Sequence, residues 1–240
     1  MIKIDSTELD FKSLNEKIRS ADGDVEIDNC LGQRFIAAGF SKKNIVINGI
    51  PGNALGSYLN GAEIAVNGNA QDAVGDTMND GCICIDGNVG DAVGYAMRGG
   101  RILVKGNAGY RAGIHMKEYK DKCPVIVIGG KCGSFLGEYQ AGGIIIVLGL
   151  SKNDRPIVSN FPCTGMHGGK IFFRSDCKDV DFPGNVISSK ATEEDLKPIE
   201  KYILEFCDRF GYDFGEIMNS EFTKAEPNSN NPYKQMYVAN

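Results

Sequence analysis

Residues 64–118 read IAVNGNAQDAVGDTMNDGC, ICIDGNVGDAVGYAMRGGR, ILVKGNAGYRAGIHMKE, three passages with nearly the same spacing. The apolar starts fall at Ile45, Ile64, Ile83 and Ile102, a constant step of 19 residues. The step widens to 24 residues for Ile126 and returns to 19 for Ile145. A last copy places Ile171 after a longer interruption, and Val25 opens a degenerate first one. A fixed period of this size marks a repeat architecture, which has to be recognised before any local motif is read.

Each copy begins with a short alternating strand, such as Ile45/Ile47, Ile64/Val66 or Ile102/Val104, which implies one buried face. A glycine-rich turn follows, with the pattern G-x-x-G-x-x-x-G. Its members are Gly49/Gly52/Gly56, Gly87/Gly90/Gly94, Gly106/Gly109/Gly113 and Gly130/Gly133/Gly137; one copy keeps Gly68 and Gly75 but has Gln71 between them. Glycine at one place in every copy points to a turn that stacks on itself, where backbone comes close or φ is positive.

Two further columns share the step. Asn69, Asn88 and Asn107 are expected to form a ladder of stacked amides, and Leu59, Met78, Met97 and Met116 a core stripe. No leucine-rich, hexapeptide or calcium-nonapeptide signature is present, and helical periodicity is missing from the repeat. The remaining solution is all-β: a single-stranded right-handed parallel β-helix of about seven coils, a rod of ~34 Å at one strand spacing per coil. Residues 1–24 are predicted to form a helical cap, started by Ser6 or Thr7. Residues 25–176 form the solenoid, and residues 177–240 a helix and tail packed on the solenoid or a partner. The C-terminal helix starts at a Thr192/Asp195 capping box or at Pro198, and stops at Gly211.

Composition removes several functions. The net charge is −5 and no basic stripe exists, which argues against a nucleic-acid binder. No signal peptide and no long apolar run is present, so the chain reads as soluble and cytoplasmic, with no membrane partner. The 8 cysteines form no C-x-x-C, which supports neither a zinc ribbon nor an iron–sulfur cluster. Cys82 and Cys84 should share a strand face as small buried groups. The glycine turns fail the P-loop pattern, no nucleophile elbow accompanies His115 or His167, and Asp72 and Asp91 recur as turn residues. No catalytic, cofactor or metal set is expected in this chain.

Two stretches break the rhythm, residues 116–124 (MKEYKDKCP) and residues 151–162 (SKNDRPIVSNFP). Insertions in solenoids collect on contact edges, which makes Lys117, Glu118, Tyr119, Lys120 and Arg155 candidate partner-contact residues, and His167, beside the methionine column in the last copy, is a further candidate.

The repeated GNxGxxxGxxMxGG pattern resembles the GXGXG domain, found at the C-terminus of the glutamate synthase large subunit and in one subunit of formylmethanofuran dehydrogenase. The resemblance covers about residues 49–174. The segments GIHMKEYKDKCPVIVIGG and GEYQAGGIIIVLGL, the interruption before TGMHGGKIFFR, and an ending of EKYILEFCDRFG with FTKAEP and PYKQMY are similar to the free-standing, archaeal-type form of the glutamate synthase domain. Gln71, Cys132 and Cys163 depart from the pattern at turn and core positions. The resemblance implies a separate, non-catalytic subunit that buttresses the amidotransferase and FMN domains around an ammonia route. FMN and the iron–sulfur cluster would belong to partner subunits, and the isolated chain could form a homo-oligomer. The GXGXG subunit of formylmethanofuran dehydrogenase is the alternative. An independent hydrolase or binding protein is a third reading, of another class.

Overall fold

A computed structural model describes residues 1–228. Strands β1 (Ile2–Asp5), β2 (Val25–Leu31), β3 (Asn44–Ile50), β4 (Asn60–Asn67), β5 (Asp80–Ile85), β6 (Arg101–Val104), β7 (Val125–Ile128), β8 (Ala141–Val147) and β9 (Gly168–Phe173) stack side by side, every neighbour parallel. The register is the one the period demands: Val25 pairs with Ile45, Ile45 with Ile64, Ile64 with Ile83, Ile102 with Ile126 and Ile145 with Ile171. The chain is a parallel β-solenoid of about eight turns rather than about seven.

The degenerate copy at Val25 forms a full coil, and β1 adds a further strand beyond it. The N-terminal segment is therefore not only helical: Ile2 pairs with Val25 before the chain enters α1 (Phe11–Ser20). Asp10, not Ser6 or Thr7, caps that helix by accepting from the Ser13 N–H at 2.7 Å. The other two hydroxyls are occupied elsewhere. Thr7 Oγ1 donates to Asp5 at 2.6 Å and Ser6 Oγ to the Asp28 carbonyl at 2.9 Å. Leu14 and Ile18 of α1 are buried against the first coils, so the helix plugs the open end of the core.

Inside the solenoid the isoleucine ladders, Leu55, Val74, Val93, Ala112 and Leu136, and the column Leu59, Met78, Met97, Met116 and Met166 form one continuous core. Gln140 takes the place of a methionine in that column and is fully buried. Its amide N–H2 donates to the carbonyls of Gly142 and Gly143, at 3.2 and 3.1 Å.

The C-terminal region covers the outer face of the later strands. Helix α2 (Glu193–Leu196) opens on the Thr192/Asp195 capping box, and α3 (Glu200–Phe210) closes on Gly211 in the left-handed region. Pro198 lies between the two helices and is not the first residue of α3. Helix α4 (Phe214–Met218) follows. Ile199, Ile203, Phe206 and Cys207 bury against Leu103, Val125, Val127, Ile146 and Phe172, forming a second core. This explains why β7, Val-Ile-Val-Ile, is buried at all four positions. The sheet then ends with two antiparallel strands, β11 (Thr223–Pro227) against β9 and β10 (Val186–Lys190) against β11. Phe222 is buried in the second core, whereas Tyr233, Met236 and Tyr237 lie outside the described residues.

Candidate functional site

The three glycine columns are structural for different reasons. A Cβ at Gly49, Gly68, Gly87, Gly106 or Gly130 would strike a carbonyl or asparagine amide of the preceding coil. One at Gly52, Gly90, Gly109 or Gly133 would strike backbone or an aspartate carboxylate there. Gly56, Gly75, Gly94, Gly113 and Gly137 have φ between +64° and +68°, and a Cβ would run into an isoleucine of a following strand. The asparagine ladder bonds coil to coil as expected, with Asn107 Nδ2 donating to Asn88 Oδ1 at 3.2 Å, and backbone N–H groups also take part. Asn69 accepts the Asn88 backbone N–H and Asn88 that of Asn107, each at 2.8 Å. Asp72 and Asp91 do the same for Asp91 and Tyr110, at 2.9 and 2.8 Å, as turn residues.

Left-handed backbone is not confined to glycine. Ala54, Gly56 and Tyr58 all have positive φ, and so do Ala92, Gly94 and Ala96, and Arg111, Gly113 and His115. In the last coil Cys163 occupies the third glycine column at φ +60°, fully buried. Burial pushes its thiol up to about 12, which makes it an inert core group.

The first interruption folds as a tight hairpin. Tyr119 and Lys122 exchange backbone hydrogen bonds at 3.1 Å, and Lys120 and Asp121 form the tip. Lys122 Nζ reaches back to Asp80 Oδ2 at 2.8 Å, and Glu118 Oε1 accepts the Gly143 N–H at 3.1 Å. Lys117, Glu118, Tyr119 and Lys120 are all exposed. The hairpin is a ridge between two grooves. One, of about 480 Å³, faces the earlier coils and is lined by Tyr58, Asn60, Asn79 and Arg98. The other, of about 420 Å³, lies toward the C-terminal segment over Gly143, Ile144, Lys170 and Phe172, with Asp195 and Glu226 on its wall. There Lys224 binds Asp195 and Glu226, both at 2.9 Å. Hydrogen bonds from Lys224 and then from the Thr192 backbone hold the Asp195 carboxyl down at about 2. Cys123 borders this groove, with its thiol pushed up to about 11 by burial.

The second interruption leaves the coil elsewhere, between β8 and the glycine turn. It folds over the end of the asparagine ladder: Ser151 Oγ donates to Asn107 Oδ1 at 2.7 Å, and Lys131 Nζ donates to the carbonyls of Asn153 and Arg155. Arg155 is exposed. His167 is half-buried and its Nδ1 lies 3.1 Å from the Gly165 carbonyl. His115 stacks on Tyr139, with ring centroids 5.3 Å apart. The candidate contact residues therefore belong to separate surfaces. Among the described residues no group of three or more His, Cys, Asp and Glu is placed to hold a metal ion, and no helix is long and apolar enough to cross a membrane.

Cys82 and Cys84 do share a strand face, with sulfurs 3.6 Å apart beneath α3. Their shared hydrogen bond raises Cys82 and lowers Cys84. Arg98 and Asn60 were not singled out from the sequence. The signal was there, one position past the methionine column, where Asn60, Asn79, Arg98 and Lys117 recur at the period.

Comparisons with known proteins agree with this architecture. The chain is 45% identical over 252 residues to the uncharacterized protein MJ1350 of Methanocaldococcus jannaschii, covering 99% of this chain and 96% of that one. Its fold is similar to a chain of the formyltransferase/hydrolase complex FhcABCD from Methylorubrum extorquens, solved in complex with methylofuran. The TM-score is 0.65 at 16% identity, over 92% of this chain and 89% of that one. A family model for the GXGXG motif matches residues 12–230, nearly the whole solenoid and its C-terminal cover, and the chain belongs to that family.

Proposed function

We propose that this chain is a non-catalytic, cytoplasmic subunit of a glutamate synthase-type complex, which converts glutamine, 2-oxoglutarate and two electrons into two glutamates. Its role is to brace the amidotransferase and FMN domains along the ammonia route, with FMN and the iron–sulfur cluster on those partners. The observation that carries this reading is the pairing of two features outside the repeat. The hairpin at residues 117–122 and the α3–β11 cover are the segments that resemble the free-standing glutamate synthase domain. They flank one groove, which gives the two segments a common surface.

A second reading, the GXGXG subunit of a formylmethanofuran dehydrogenase, is favoured by the fold likeness to a chain of the Methylorubrum complex. Affinity purification of the tagged chain from its native cell separates the two. Co-elution with amidotransferase and FMN-containing subunits is the expected result. Recovery with tungsten or molybdenum formylmethanofuran dehydrogenase subunits instead overturns the first reading. The third reading, an independent hydrolase, requires activity of the purified chain alone that is lost on changing His115 or His167.

A further inference from the structure

The groove on the solenoid side of the hairpin has the chemistry of a ligand site. Asn60, Asn79 and Arg98 come from three consecutive coils and so stack at one strand spacing, ~4.8 Å, along its floor. Tyr58 stands at one side. Tyr119, with Lys120 Nζ 5.3 Å from its ring centroid, stands at the other.

Arg98 is the informative member. Its Nε is buried, and no acceptor meets it among the described residues. Three other arginines have acceptors. Arg101 pairs with Glu205 and Arg111 with Glu138, both at 2.9 Å, and Arg174 donates to the Leu148 carbonyl at 2.7 Å. A guanidinium cannot lose its proton, so a buried N–H without an acceptor is unfavourable until an acceptor arrives. The side-chain amides of exposed Asn60 and half-buried Asn79 have no protein partner among the described residues and face solvent. Lys122 is already neutralised by Asp80, and the carboxylate of Asp121 lines the groove beside Lys120 at the hairpin tip. With Lys120 offset by Asp121, Arg98 leaves the groove with a single net positive charge in a chain of net charge −5.

We propose that this groove binds a small oxyanion, a carboxylate or a phosphate, with Arg98 as the anchoring donor, the two asparagine amides as orienting donors and Lys120 closing from the hairpin. A planar oxyanion accepts two parallel N–H groups of a guanidinium, which a lysine cannot reproduce.

The test uses the full chain and two probes, succinate and inorganic phosphate, each against sodium chloride at matched ionic strength. The Arg98 Nε–H resonance is assigned by its disappearance in Arg98→Lys. With one or both probes it is expected to shift in a saturable way, and the responding probe identifies the source of the oxyanion. Arg98→Lys, which keeps the charge and the buried stem, should raise Kd by about tenfold or more. Lys120→Ala should weaken binding without altering the fold. No saturable shift with either probe, or unchanged affinity in Arg98→Lys with its native spectrum retained, overturns the proposal.

Discussion

Gly94 shows how much one position in a stacked turn carries. Its φ is +68° and a Cβ there would meet Ile126 of a following strand. Gly94→Val is expected to cost at least about 1–3 kcal/mol from the backbone alone, with the steric clash added, and to lower the melting temperature accordingly. Gly184 has open space around it and no positive φ, so Gly184→Ala should melt within about 0.5 kcal/mol of the parent. The same scale marks what the sequence conceals. The glycine columns are legible because glycine is chosen for φ and for close approach. The left-handed residues Ala54, Tyr58, Ala96 and His115 are not, because nothing in their identity signals their backbone. Cys163 could be read as a departure from the glycine pattern, yet only the structure shows that a residue with a Cβ holds the same φ there.

At the scale of elements, the C-terminal cover is held by apolar contact and by one ion-pair knot. Phe206 is fully buried between α3 and the sheet, so Phe206→Ala should cost about 3–5 kcal/mol and loosen α3 from β7. A selective gain in proteolysis near residues 197–212 would show it. The Asp195–Lys224 pair ties the α2 cap to β11. A carboxyl lowered to about 2 contributes stability above its ordinary value near 3.8 and loses it as pH falls through about 2. Asp195→Asn is therefore expected to cost about 1 kcal/mol at neutral pH, after solvent screening. The difference from the parent should close as pH falls below about 4, measured by denaturant unfolding. The capping box at Thr192 and the stop at Gly211 were plain in the sequence, since local side-chain chemistry decides both. β1, β10 and β11 were not. Ile2–Asp5 is too short to declare a period, and Val186–Lys190 and Thr223–Pro227 lack apolar alternation. They become strands because a neighbouring edge offers them hydrogen bonds.

For the whole molecule, the 19-residue step was sufficient to specify the register of the inward-facing residues from β3 to β6, because each coil must repeat the same inward set; the start of β4, where Asn60 pairs with Asp80, slips by one residue. Cover is uneven along the axis. Strands β6 to β9 are buried on both faces by the second core, while β2 to β4 show an outer face of polar or half-buried residues. Hydrogen exchange should follow that difference, slowest in β7 and fastest at β1 and β10, the two edges of the sheet. Equal protection along the axis would contradict this. The end structures have a further consequence. Helix α1 plugs one end and an antiparallel strand pair closes the other, so neither terminator depends on how many coils lie between. Coils could be gained or lost internally, each changing the separation of the two ends by one rung of ~4.8 Å. A pair of proteins gripping opposite ends would then be spaced by a ruler graduated in whole rungs, with no intermediate settings.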